Sequence, residues 1–363
     1  MLIKLSPRGE QSNTMSYLSP VLAGILTLIT GAIFFAALGL DPLKALHTFL
    51  IAPVSDLDGF AELCVKAAPI LLCAIGLSVA FRAQVWNIGA EGQLLMGGLA
   101  ASAAAVLFID QDEATWVLPL VLLSGIVGGA LWGLLAAVLK TRFNANEILT
   151  TIMLNYIALY TLLYFVHGAL KDPDGYGFPE SALFSDNAIL PVLFEDTRMH
   201  IGILFALFAV VVIWVLLSRS FLGFQVKVLG MDPQAAKFAG FKHKRLVWVA
   251  MLISGALAGL AGAGEVAGPI GQLIPSISPG YGYAAIIVAF LGRLHPVGIF
   301  FASMLMALIY MGGELAQIDL NLPLAVTSLF QGMLLFYLLA CDVLINFKIT
   351  LKGRSGAAQQ GNA

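Results

Sequence analysis

The chain has 363 residues, 60% of them hydrophobic and 11% charged, and a formal net charge of -2; its mean hydropathy is +0.92. Soluble domains carry about 25% charged residues, so this composition excludes a globule covered by water and requires lipid as part of the solvent, while the near-neutral balance gives nucleic acid no basic surface. Cys64, Cys73 and Cys341 lie in apolar runs without metal or redox spacing, and the five histidines form no cluster, so no metal site is predicted.

Lys4 and Arg8 precede an apolar run over 17–40. That run is longer than the roughly 7–15 residues of a secretory signal, so it reads as an uncleaved first span. Further apolar runs follow at 64–81, 94–109, 116–139, 148–170, 201–217, 246–266, 281–291, 296–312 and 323–347. A helix needs about 20 residues to cross a 30 Å hydrocarbon core. Continuous runs without dyad alternation indicate helices rather than barrel strands. The 281–291 run is short, and reads as a half-span or as a span beginning near Ile274.

Charge tests the count. With the N-terminus inside and ten spans, fifteen of the nineteen basic residues fall in cytoplasmic segments, leaving only Lys44, Lys66, Lys171 and Arg198 outside. That is the positive-inside distribution. The outer loops are acidic instead, with Asp56, Asp58 and Glu62, then Asp110, Asp112 and Glu113, then Asp172, Asp174, Glu180 and Asp186. The expected architecture is an all-α polytopic membrane protein of about ten transmembrane helices with both termini cytoplasmic. Residues 1–16 form an N-terminal cytoplasmic segment, 17–347 a single transmembrane domain, and 348–363 a disordered cytoplasmic tail.

Glycines punctuate two spans, Gly125, Gly128, Gly129 and Gly133 in the fourth and Gly255, Gly259, Gly262, Gly264 and Gly268 in and after the seventh. Small residues at this spacing let helix backbones approach closely in lipid. Asn87, Gly89, Glu91 and Gly92 cluster where the third span begins, a pattern suited to capping a helix and satisfying loop backbone. Glu147, Thr151 and Asn155 share one face of the fifth span at i, i+4 and i+8. They read either as a polar stripe along a solute path or as interhelical hydrogen bonding. Glu265, late in the seventh span, pairs with Gln272 as a candidate lining of the outer mouth. Tyr281 and Tyr283 fit belt positions or base stacking.

The largest cytoplasmic loop spans 219–245 and contains GMDPQAAKFAG at 230–240. Asp232 is suited to an N-cap, Pro233 to the first helical position, and Gly240 to a left-handed stop. The segment therefore predicts a two-turn helix across the cytoplasmic face. Its apolar Ala236 and Phe238 suit docking into a partner's groove.

This loop resembles the coupling helix of ABC importer permeases. FRAQVWNIGAEGQ at 81–93 is similar to the signature of permeases for ribose, branched-chain amino acids and nucleosides. NEILTTIMLNY at 146–156, AGAGEV at 261–266 and GYAAIIVAFLG at 282–292 are closer to the nucleoside branch. The resemblance extends from about Leu63 to Phe347. It implies a permease subunit that moves a nucleoside, a purine or a related sugar-bearing solute across the inner membrane by alternating access. It further implies an ATPase subunit that rests on Asp232, Pro233, Ala236, Phe238 and Gly240, a second permease subunit, and an extracytoplasmic solute-binding protein. The chain has no GxxxxGK[ST] phosphate loop and no readable catalytic set, so the expectation is a transport subunit with no cofactor of its own, ATP being bound by a partner subunit. The alternative is an ion-coupled transporter that acts without an ATPase, with Glu147 and Glu265 as its carboxylates.

Overall fold

The computed structural model describes residues 2–7, 13–111, 114–175, 177–323 and 325–352. In chain order the elements are β1 (Leu2–Pro7), α1 (Asn13–Ala37), α2 (Pro42–Leu50), α3 (Leu57–Arg82), α4 (Ala90–Leu107), α5 (Val117–Phe143) and α6 (Glu147–His167). There follow α7 (Gly202–Arg219), α8 (Phe221–Met231), α9 (Pro233–Phe238), α10 (His243–Glu265), α11 (Tyr281–Leu291), α12 (Pro296–Leu320), α13 (Ala325–Asn346) and β2 (Phe347–Lys352). Among the described residues nine helices are long and apolar enough to cross a membrane. Residues 53–311 form one compact unit, and the two ends of the chain, 1–52 and 312–363, form another.

The larger unit is built around α3, which is buried without interruption from Ala67 to Phe81. A helix apolar on every side belongs inside a bundle. Beside it, α4, α5 and α10 meet on glycines. A Cβ on Gly97 would lie 2.3 Å from Gly259 Cα, one on Gly129 2.4 Å from the Gly255 carbonyl, and one on Gly262 2.0 Å from the Leu94 carbonyl. Backbone touches backbone here, so no side chain can move aside. Gly264 is different, with nothing within 4 Å of its added Cβ.

The 281–291 segment is a half-span. Gly280 has φ +99, a left-handed conformation that breaks the chain's direction, and the Ser278 hydroxyl accepts from the Gly280 and Tyr281 N–H groups at 3.1 and 3.0 Å. The helix therefore starts at Tyr281, not near Ile274. Its 11 residues give about 16 Å, half the hydrocarbon thickness. Upstream, α10 passes into one π-helical turn, Val266–Ile270, that contains Pro269. Proline lacks the N–H that would continue the α ladder.

In the smaller unit α1 packs on α13, and Phe35, Phe49 and Phe330 form a ring cluster with centroids 4.5–6.3 Å apart. β1 and β2 pair antiparallel, Leu2 opposite Lys352 and Pro7 opposite Phe347. Residues 348–352 are thus a strand and not part of a disordered tail. Phe347, Ile349 and Leu351 alternate with Lys348, Thr350 and Lys352, the period-2 pattern of a strand. Residues 353–363 lie outside the described residues.

Candidate functional site

The cytoplasmic element between α7 and α10 holds two helices where the sequence predicted one. Ser220 caps α8, accepting from the Gly223 N–H at 3.0 Å. Asp232 caps α9, its carboxylate accepting from the Gln234 N–H at 2.8 Å, with Pro233 in the first turn. After α9 the Gly240 N–H donates to the Lys237 carbonyl and the Phe241 N–H to the Ala236 carbonyl, both at 3.0 Å, with Gly240 at φ +77. Only a residue without a Cβ adopts that backbone at no cost. Ala236 is buried in a cluster with Val226, Leu229, Leu246 and Met251. It anchors α9 to its own chain and takes no part in an outward face. Phe238 is 92% exposed and Met231 78%. α8 meets the bundle by backbone contact, since a Cβ on Gly230 would lie 2.1 Å from the Arg82 carbonyl.

A second constellation lies within the bundle, where the chain returns from α3 to start α4. Asn87 donates to Gln93 Oε1 and Ser254 Oγ at 3.1 and 2.9 Å, and accepts from the Gly89 N–H at 2.9 Å. Thr151 accepts from the Ile88 N–H at 3.1 Å. Asn155 accepts from the Gly92 N–H at 2.9 Å and donates to the Ile88 carbonyl and Tyr283 Oη at 3.0 and 3.2 Å. Glu91, in the first turn of α4, accepts from the Gly282 N–H at 2.7 Å, in the first turn of α11. From the first turn of α4 this carboxylate thus serves the N-terminus of α11, whose free N–H groups and positive dipole end need an acceptor away from water. Gly282 makes this meeting possible: a Cβ there would lie 2.2 Å from the Glu91 nitrogen.

The polar stripe of α6 accordingly faces its own chain. Thr151 and Asn155 are buried with Ala158, Leu162 and Val166, while Glu147 forms an ion pair with Lys140. The opposite face carries Tyr156, Tyr160 and Tyr164, exposed by 53, 67 and 74%. Hydroxyls facing hydrocarbon are costly, so a tyrosine face of this kind suits water or another polypeptide. The spacing of four residues between Tyr156, Tyr160 and Tyr164 is the signal for this face in the sequence. Tyr281 is buried edge-on to Tyr310, ring centroids 5.5 Å apart.

At the outer side Glu265 and Gln272 separate. Gln272 donates to Glu180 at 3.2 Å in the long loop before α7. Glu265 is buried and lines a cavity of about 10 Å³ together with His200, Pro69 and Gly202, room for about one water. His200 Nδ1 accepts from the Gly202 N–H at 3.1 Å, and its buried Nε2 has no hydrogen-bond partner among the described residues. Burial, with the Arg198 cation second, pushes this imidazole down to about 4.

Residues 59–339 match the family described as "Branched-chain amino acid transport system / permease component". The chain is 32% identical over 359 residues to a glucose ABC transporter permease protein of Haloferax volcanii, covering 96% of this chain and 93% of that one. It is 31% identical to a guanosine ABC transporter permease protein of Bacillus subtilis, covering 94% and 97%. It is 28% identical to a nucleoside ABC transporter permease protein of Lactococcus lactis, covering 90% and 92%. These likenesses support an importer permease of the plasma membrane over the ion-coupled alternative built on Glu147 and Glu265. A bundle of apolar helices, a broken crossing and a capped cytoplasmic helix agree with the match that runs along most of its length: the chain belongs to the family of branched-chain amino acid transport system permease components.

Proposed function

We propose that this permease imports a nucleoside, or a related solute built on a sugar ring, with energy taken from ATP bound by a separate ATPase subunit. The observation that carries the reading is α9. It is fixed at its start by Asp232, at its end by Gly240 and beneath by Ala236, and it presents Phe238 with 92% of its surface free. An aromatic side chain left in water on a rigid, basic cytoplasmic element matches the groove of a soluble partner. Movement of that partner would reach α3 through the backbone contact of Gly230 with Arg82, and so bias the bundle between inward and outward states.

The solute class rests on the relatives named for guanosine, nucleosides and glucose, and on the tyrosine face of α6. Aromatic rings at one-turn spacing stack on bases and sugar rings alike. In this reading that face looks onto a path completed by a second permease subunit, and an extracytoplasmic binding protein delivers the solute. The test is purification of the full chain from its native membrane in mild detergent. Wild-type chain should bring down an ATP-hydrolysing subunit, and Phe238→Asp should lose it while keeping the melting temperature. Reconstituted complex should take up guanosine with ATP present, and unlabelled nucleosides should compete better than glucose. Uptake by the chain alone, without ATP, would sink the proposal.

A further inference from the structure

The cytoplasmic ends of α3, α7 and α8 and the turn from α11 to α12 enclose a cavity of about 760 Å³. That is the size range of a small-molecule site, about 300–1,000 Å³. Its lining includes three cations, Arg82, Lys227 and Arg293, and Phe224, which is 54% exposed, with no carboxylate among the described residues. Neither 217–231 nor 290–295 contains an acidic residue. Arg82 is pinned in place, its Nε donating to the Leu294 carbonyl at 3.0 Å. The depth is set by Phe81, whose ring packs on Trp86 and Phe290 at 5.6 and 5.1 Å. Trp86 is 39% exposed, and tryptophan at a bundle surface marks the level of the lipid headgroups.

We infer that this cavity binds the headgroup of an anionic phospholipid of the cytoplasmic leaflet. The phosphodiester meets the three cations, and the glycerol and upper acyl carbons lie on Phe224. A soluble anion would use the cations and leave the Phe224 ring in water. A lipid uses both, and basic pockets between helices on the cytoplasmic side are where such headgroups bind. The inference depends on the chain's membrane placement and not on its solute or its ATPase, so its failure would leave the transport reading intact.

The test is native mass spectrometry of the full chain released from detergent after mixing with phosphatidylglycerol or phosphatidylcholine of identical acyl chains. Wild type should retain one phosphatidylglycerol at least about fivefold more than phosphatidylcholine, and Lys227→Gln or Arg293→Gln should each lower that retention about fivefold, the effect of one cation near a membrane surface. Phe238→Asp, outside the cavity, should leave retention unchanged. Equal retention of the two lipids, or no effect of either cation variant, overturns the proposal. Release of the lipid by millimolar inorganic phosphate would make this a site for a soluble anion, and loss of the lipid on adding the ATPase subunit would make it a protein contact. Either result overturns the lipid assignment as well.

Discussion

The polar cluster around Glu91 and the cytoplasmic helix α9 are built on opposite rules. In the first, side chains able to bind a solute are turned inward and hydrogen-bonded to their own backbone: Asn87 to Gly89, Asn155 to Ile88 and Gly92, Glu91 to Gly282. In the second, a side chain suited to a core, Phe238, stands in solvent, and the small Ala236 beside it is buried. Polarity at membrane depth therefore marks scaffold in this chain, because a broken crossing leaves backbone N–H groups that lipid cannot satisfy. In the proposed reading, exposure of an aromatic side chain on a rigid mount marks the contact surface.

The largest effect should come from the point where α4 and α11 meet. Gly282→Ala places a methyl 2.2 Å from the Glu91 nitrogen and 2.5 Å from its Cα. Main chain has no rotamer to yield, so the cost should exceed about 4 kcal/mol, and little monodisperse protein should be recovered on size exclusion. Normal yield and melting temperature would mean that α4 and α11 do not meet as described. Asn155→Ala should cost less. It removes three hydrogen bonds at roughly 1 kcal/mol each and lowers the melting temperature, while the KM of the folded fraction stays at the wild-type value. An unchanged melting temperature with a KM raised tenfold would assign Asn155 to the solute and break the contrast.

The outer face offers a buried polar group that titrates. His200 has a folded pKa of about 4 against 6.5 when unfolded. As pH falls, the unfolded chain takes up the proton first, so the stability present above about 6.5 is lost progressively between 6.5 and 4. The melting temperature should fall over that window, and less steeply in His200→Gln. Parallel curves for the two proteins would show that the imidazole is not held neutral.

Much of this was legible in the sequence and some was not, for physical reasons. Span positions follow from run length, orientation from Lys and Arg, and the α9 caps from Asp232, Pro233 and Gly240, because each of those signals is local. α8 was not legible because FLGFQVKVLGM falls in the basic loop over 219–245, and its start depends on the cap by Ser220. The inward turn of Asn155 was not readable, since its partners lie 63, 67 and 128 residues away. Glu265 and Gln272 are close in sequence, yet the π-helical turn and the left-handed Gly271 between them send Gln272 to Glu180 and leave Glu265 at the cavity beside His200. A period or a cap is written in neighbours; which face of a helix meets the rest of the chain is written in residues far along it.

The smallest predicted effect separates crowding from composition in the glycine seam. By sequence, Gly259 and Gly264 are alike, two glycines on one apolar helix. In space they differ: a Cβ on Gly259 would lie 2.2 Å from the Gly125 carbonyl, and one on Gly264 would meet nothing within 4 Å. Gly259→Ala should therefore destabilise, because two helices would have to part. Gly264→Ala should stabilise by about 0.5–1 kcal/mol, since alanine restricts the unfolded chain and favours the helix. A rise of a few degrees in melting temperature for Gly264→Ala, with Gly259→Ala falling, would fix the seam at the contact of Gly97, Gly125 and Gly129 with Gly259. A fall for both would mean that the helices pack along the whole stripe, and that Gly264 is held open only in this conformation. Uptake then decides what the open side is for. A Gly264→Ala chain that is more stable yet slower would place the free space in the transport cycle, whereas one that is more stable and equally fast would leave it as slack beside Glu265.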